Sequence, residues 1–375
     1  MGSKQALLNG ALGRALLRHT EPGRPFVDLF AGSGVVGTFV AEKTDSVVTT
    51  VDCQSFSSAL ALSVIDRESA VDQGEIVADW LKRSREIFDE RRSDLGFTDL
   101  DWTQPENVAR SRMLCRDADA GFIVRDYGGH YFSPLQALAL ECLLPVKSVG
   151  VDDLYWLKMG VIIRTASRVS ASPGHTAQPF QPTERLLPYI GAAWRRDVFV
   201  AAESILNALA PRFARRRGSA VVEDANDYAV RVPMDATVFC DPPYSDVQYS
   251  RFYHVLEGIA RGGWPEVHGA GRAPDLPLRT SSRYSLRTAS EKALDELLDG
   301  LRSRRATVLL TFPSGDASNG VSGDIARNLA KKYFKVRSQL LPHTHSTLGG
   351  PATAKTGSRM ARRPLNELLL VMKPS

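Results

Sequence analysis

Pro25-Phe26-Val27-Asp28-Leu29-Phe30-Ala31-Gly32-Ser33-Gly34-Val35-Val36-Gly37 runs from an apolar segment through a glycine-rich turn into a stretch with helical texture. Residues 25–30 read as a first strand, 31–34 as a turn and 35–43 as a helix. A second, β-branched run follows at Ser46-Val47-Val48-Thr49-Thr50-Val51 and ends at Asp52, with another helix expected over 56–66. Strand, turn, helix, strand and helix in that order predict an α/β fold, the start of a doubly wound parallel sheet.

Within the turn, Gly32, Gly34 and Gly37 fit G-x-G-x-x-G between a strand and a helix. Lacking a Cβ, such a backbone turns tightly and lets a ligand approach closely. Asp52 closes the next strand, where an acid can take both hydroxyls of a ribose. The glycine pattern alone suits nicotinamide and flavin enzymes as well as enzymes that use S-adenosylmethionine. Asp28 and Phe30 just before it separate these: a carboxylate there suits the ammonium of an amino acid and would repel a pyrophosphate. The reading is S-adenosylmethionine.

Farther along, Ala236-Thr237-Val238-Phe239-Cys240 reads as a buried strand and runs straight into Asp241-Pro242-Pro243-Tyr244. The exocyclic amine of adenine or cytosine is a poor nucleophile because its lone pair is delocalised into the ring. Asp241 and the Pro242 carbonyl can each accept one of its hydrogens and draw the nitrogen toward tetrahedral geometry. Two prolines fix the backbone so that both acceptors face one way, which is preorganisation. Tyr244 can stack on the base. A base in a duplex must leave the helix to reach such a pocket.

Between these motifs the texture is mainly helical. Residues 67–118 are charged and helical, 134–147 and 151–169 read as buried helices, 171–183 are broken by three prolines and a glycine, and helix resumes over 184–209. Strand texture returns at 220–223, 237–240 and 306–312, helices are expected over 250–260 and 290–304, and 333–341 with 365–372 form a terminal strand pair. The chain is therefore predicted to be one α/β core, residues 1–67 and 201–375, carrying a mainly helical insertion over 68–200.

The 375 residues are 43% apolar and carry a formal charge of +5. No apolar run approaches the ~20 residues of a membrane span, and the N-terminus lacks a basic-then-apolar leader. A soluble, cytoplasmic protein with no membrane partner is expected. Cys53, Cys115, Cys142 and Cys240 are scattered, which argues against zinc or a disulfide framework, and Cys240 is expected in the core. No metal is expected at His343-Thr344-His345 either. Basic clusters at Arg195-Arg196, Arg212 with Arg215 to Arg217, Arg302 with Arg304-Arg305, and Arg362-Arg363 raise the expectation of phosphate contact. Arg279, Arg283 and Arg287 around Tyr284 suit a mobile loop over nucleic acid or a flexible connector.

Together, Asp-Leu-Phe-Ala-Gly-Ser-Gly at 28–34 and Asp-Pro-Pro-Tyr at 241–244 resemble the methyl-donor and catalytic motifs of the bacterial DNA adenine methylases, over roughly 1–66 and 218–375. The order of the motifs is similar to the class in which the long insertion holds the target-recognition region. The resemblance implies a Rossmann-like class I methyltransferase sheet with a reversed final hairpin. It also implies methyl transfer to the N6 amino group of a flipped adenine in duplex DNA, and a bacterial restriction-modification or defence setting with partner proteins. It implies catalytic roles for Asp241, Pro242, Pro243 and Tyr244, and donor contacts from Asp28, Phe30, Ala31, Gly32, Gly34 and Asp52. More loosely, Gly2-Ser3-Lys4 is similar to an N-terminal donor-binding segment, and Glu223-Asp224-Ala225 to the turn that meets the donor's adenine. Tyr131-Phe132-Ser133, Gly174-His175, Tyr253-His254, Glu257 and Asn366-Glu367 also resemble family features. RNA adenine and DNA cytosine remain alternative targets, and a silent nucleic-acid-binding subunit is the alternative to an enzyme; aspartate rather than serine opening the tetrapeptide favours adenine.

Overall fold

Residues 4–145, 154–346 and 362–374 are described by a computed structural model. Among them, seven strands form one mixed sheet: β1 (Phe26–Asp28), β2 (Val48–Asp52), β3 (Ser219–Val222), β4 (Thr237–Cys240), β5 (Thr307–Pro313), β6 (Phe334–Ser346) and β7 (Arg362–Pro374). Their order is β3-β2-β1-β4-β5-β7-β6. The first five run parallel, with Phe26 beside Val48 on one side of β1 and beside Thr237 on the other. Antiparallel β7 lies between β5 and β6, pairing Pro313 with Glu367. This is a Rossmann-like α/β sheet with a reversed final hairpin, as the sequence implied.

The chain divides into two units. The first comprises Met1–Cys53, Arg215–Gln248 and Ser281–Ser375 and holds the whole sheet. The central strands β1, β4 and β5 are near-continuous apolar runs because they are buried, β4 along its full length. One core cluster joins Val27, Val238, Val308, Leu310 and Leu370 to Leu294, Leu297, Leu298 and Leu301 of the helix Ser290–Ser303. That spacing of three and four is the apolar stripe of a helix lying on a sheet. The helix Gly323–Tyr333 adds Ala326, Leu329 and Ala330 to the same cluster.

The second unit, Gln54–Ala214 with Tyr249–Thr280, contains no named strand among its described residues. It thus takes residues from both sides of the expected 68–200 insertion, together with the helix Ser250–Arg261. The helix Tyr155–Val169 packs against both Ser55–Ile65 and Val198–Leu209. Gly160 has Ser63 so close that a Cβ would sit 2.3 Å from its Cβ. Arg67 caps the carboxyl end of Val198–Leu209, donating to the Leu209 carbonyl at 2.6 Å and the Ala210 carbonyl at 2.9 Å. A smaller cluster sets Trp102 edge-on to Trp194, ring centroids 5.0 Å apart.

Candidate active site in the sheet-bearing unit

The sheet reverses its winding between β1 and β4, and ligands of open α/β sheets bind beyond the strand carboxyl ends at such a point. β1 ends at Asp28, β2 at Asp52, and β4 runs into Asp241. Three of the acids singled out in the sequence therefore stand along one edge of the sheet.

Asp28 is buried, and its Oδ2 accepts the Gly37 amide at 3.2 Å. Its Oδ1 has no hydrogen-bond partner among the described residues. Burial pushes its pKa up to about 7; the Asp241 and Asp52 charges act in the same direction, while the Phe30 and Gly37 amides oppose it. An orphaned buried carboxylate oxygen is costly unless something bonds it, so this position fits a bound ammonium. Gly32 and Gly34 have φ of +51° and +73°, the left-handed region that other residues rarely adopt. They let the turn fold back, and the Gly32 amide donates to Asp52 Oδ2 at 2.8 Å. Ala31 is buried and its amide donates to the Val51 carbonyl at 3.0 Å. Phe30 meets Tyr284 edge to face, ring centroids 5.1 Å apart.

Beyond β3, Asp224 caps the helix Ala225–Ala229 by accepting the Asn226 amide at 2.9 Å, and Ala225 is buried. Glu223 pairs with Arg231. The Asp52 carbonyl takes the Glu223 amide at 3.0 Å, tying the β2 and β3 ends together.

Asp241 is held through one oxygen. Thr311 on β5 donates to Oδ1 at 2.8 Å, and the Lys4 ammonium lies 3.0 Å from the same atom. Lys4 also pairs with Glu367, the β7 residue opposite Pro313. Burial works against the Lys4 charge, yet Asp241 and Glu367 outweigh it and raise its pKa. Burial pushes Glu367 up, and Lys4 pulls it back. Two carboxylates thus share one ammonium. Pro242 is buried, and Tyr244 sets its ring edge-on to Phe312 with centroids 6.5 Å apart. Cys240 is buried as expected; burial, then Asp28 and Asp241, push its thiol well up.

The loop after the tetrapeptide is clamped by residues far along the chain. Gln248 makes two hydrogen bonds with Ser282, its side chain donating to the Ser282 carbonyl at 3.0 Å and accepting the Ser282 amide at 2.7 Å. The Asp246 amide donates to Ser318 Oγ at 3.1 Å, and Ser285 Oγ to the Val247 carbonyl at 3.3 Å. Here the expectation of a mobile basic loop is corrected for Tyr284: it is buried in the core, donating to Asn226 Oδ1 at 2.7 Å, while Arg283 pairs with Glu296. The sequence reading missed Thr311, whose hydroxyl on a central strand is the only signal, and gave Glu367 no role beyond resemblance.

Other singled-out residues lie in the helical unit. Tyr131 is buried with its hydroxyl 2.6 Å from the Thr176 carbonyl and 2.8 Å from that of Gly271. Ser133 and Gln136 form a capping box on the helix Pro134–Cys142. His175 packs on Phe252 and accepts the Ala177 amide, a loop cap. His254 sets Nε2 2.7 Å from the Gly271 carbonyl, and Glu257 accepts the Phe56 amide at 3.0 Å. Gly2-Ser3, Gly349-Gly350 and the side chains of His343, His345, Arg362 and Arg363 lie outside the described residues.

Comparison with known proteins follows the same lines. Residues 1–140 and 200–307 match the D12 class N6 adenine-specific DNA methyltransferase family. Modification methylase LlaI of Lactococcus lactis subsp. lactis is 23% identical over 319 residues, covering 84% of this chain and 46% of LlaI. Modification methylase StsI of Streptococcus sanguinis is 30% identical over 88 residues, covering 24% of this chain and 13% of StsI. The chain thus spans less than half the length of either relative.

Proposed function

The chain belongs to the D12 class N6 adenine-specific DNA methyltransferase family, and from that premise we propose that it methylates the N6 amino group of a flipped adenine in DNA. The donor is S-adenosylmethionine, which supplies a methyl carbon on a cationic sulfur; the adenine nitrogen takes the carbon as the carbon–sulfur bond breaks, and then loses a proton. Asp28, with its unpartnered Oδ1, suits the donor's ammonium. The Gly32-Ser33-Gly34 turn with Phe30 and Ala31 forms the cradle, Asp52 takes the ribose hydroxyls, and Asp224 with Ala225 meets the adenine ring.

The observation that carries the reading is the state of Asp241. Thr311 and Lys4 both bond Oδ1, so the carboxylate is fixed in rotation while Oδ2 keeps its lone pairs for the target amine. The Pro242 carbonyl accepts the second amine hydrogen, and Tyr244 stacks on the base. Because Glu367 shares Lys4, the ammonium does not cancel the Asp241 charge, and the site keeps a negative charge for the nitrogen as it becomes positive. The helical unit reads the target sequence. The relatives carry the name modification methylase, which supports a restriction-modification or defence role.

Transfer of tritiated methyl groups to duplex DNA, single-stranded DNA and RNA, with nucleosides identified by mass spectrometry, tests the proposal. N6-methyladenine from duplex DNA is expected. Asp241→Ala should abolish turnover yet leave donor affinity nearly intact, since Lys4 remains paired with Glu367. Label in cytosine or RNA alone, or no label, would refute the proposal; collapse of donor affinity in Asp241→Ala would refute the division of roles.

A further inference from the structure

A proline pair has no backbone N–H with which to anchor itself. Pro242 and Pro243 therefore depend on groups elsewhere that bond their carbonyls or their neighbours. One side chain does this for Pro243. Asn319 is buried, 1% exposed, and spends both hydrogens of its Nδ2 on carbonyls: Pro243 at 3.1 Å and Tyr284 at 2.9 Å. Its Oδ1 accepts the Val321 amide at 3.2 Å, and its own carbonyl accepts Ser290 Oγ at 2.8 Å. Its amide lies 3.4 Å from the Tyr244 carbonyl. Each polar atom is thus used, and the amide orientation follows from having two carbonyls on one side and an N–H on the other.

The connection reaches past the loop. Tyr284 packs edge-on against Phe30 in the glycine turn and bonds Asn226, which follows Asp224 and Ala225. Asn319 joins the Asp-Pro-Pro-Tyr loop to Tyr284, the residue touching both donor-side turns. Pro242, whose carbonyl is the second amine acceptor, lies between Asp241, anchored by Thr311, and Pro243, anchored by Asn319.

We propose that Asn319 is a positioning residue that fixes the Pro242 carbonyl relative to the donor turns and so sets the rate of methyl transfer rather than the affinity for the donor. This rests on the reading of residues 241–244 as the catalytic loop. Nothing in the local sequence, Asp316-Ala317-Ser318-Asn319-Gly320, distinguishes that residue from an ordinary turn asparagine.

The test compares the unmodified chain with Asn319→Asp, which keeps the size but places an oxygen against two carbonyls, and with Ser290→Ala, which only loosens the asparagine's backbone. Single-turnover rate and donor affinity by calorimetry are read separately on duplex DNA. Misplacing reacting groups by about an ångström costs rate steeply, so Asn319→Asp should lower the transfer rate roughly 10–100-fold and Ser290→Ala about threefold. Donor affinity should stay within about twofold in both, the split that general loss of structure would not give. Rates unchanged in both variants, or rate and donor affinity falling in step, would overturn the inference while leaving the Asp241 reading intact if Asp241→Ala is inactive. An inactive unmodified chain would overturn both.

Discussion

Taking the Asp28 carboxyl out of water raises its pKa to about 7, with Asp241 and Asp52 adding to the rise and the Phe30 and Gly37 amides opposing it. An unfolded chain releases that proton near pH 4. Between about pH 4 and pH 7 the folded chain therefore holds a proton the unfolded chain has lost, and stability falls as pH rises through that window. The contribution is fully present below about pH 4 and gone above about pH 7. Asp28→Asn cannot ionise, so relative to it the unmodified chain should lose up to about 4 kcal/mol across the window. Urea unfolding of both chains at pH 4 and pH 8 measures the difference; parallel slopes would mean the carboxyl is not desolvated. The acids at 28, 52 and 241 were legible because each ends a strand. Thr311 and Asn319 were not, since a hydroxyl in an apolar run and an amide in a turn look alike whether or not they hold a catalytic loop.

Among the elements, the turn after β1 depends on close approach between helix Val35–Lys43 and β2. A Cβ on Gly37 would lie 2.6 Å from Thr50 Cγ2 and 3.6 Å from Asp28 Oδ2. Alanine is the better helix former by about 1 kcal/mol, but overpacking in a fixed core costs about 1–3 kcal/mol, and Thr50 is buried on a central strand. Gly37→Ala should therefore destabilise by about 1–2 kcal/mol, and adding Thr50→Ser, which removes Cγ2, should recover most of it. Denaturant midpoints of the two single variants and the double variant decide this; additivity would mean no contact.

Each predicted strand exists; the central parallel ones were the plainest, because buried parallel strands are near-continuous apolar runs. Helices were read less well. Near the N-terminus stand two helices, Gln5–Leu8 and Ala11–His19, broken where Gly10 takes φ −118° and ψ −138°. Over 184–209, where helices were expected, stand Leu187–Trp194 and Val198–Leu209, the second starting at an Asp197 cap that accepts the Val200 amide at 2.9 Å. Gly323–Tyr333 was missed: its stripe is mostly alanine, and its Ser322 cap sits among glycines and serines that read as loop.

At the scale of the whole molecule, several basic clusters are already engaged. Arg302 pairs with Asp299, Arg305 with Asp235 and Arg215 with Asp45. Such exposed pairs contribute little to stability, and they reduce the number of cations in those clusters left for phosphate. The net charge of +5 still favours a polyanion. If DNA is the substrate, its affinity should fall roughly a hundredfold between 50 and 200 mM salt, measured by fluorescence anisotropy with a labelled duplex; a flat response would point to a small neutral substrate instead.

Lys4 and Glu367 stand 363 positions apart in the chain, and the ion pair between them braces the carboxylate on which the chemistry is proposed to depend. A copy clipped before the strand that bears Glu367 would leave Lys4 to Asp241 alone, and the shared brace would go with it.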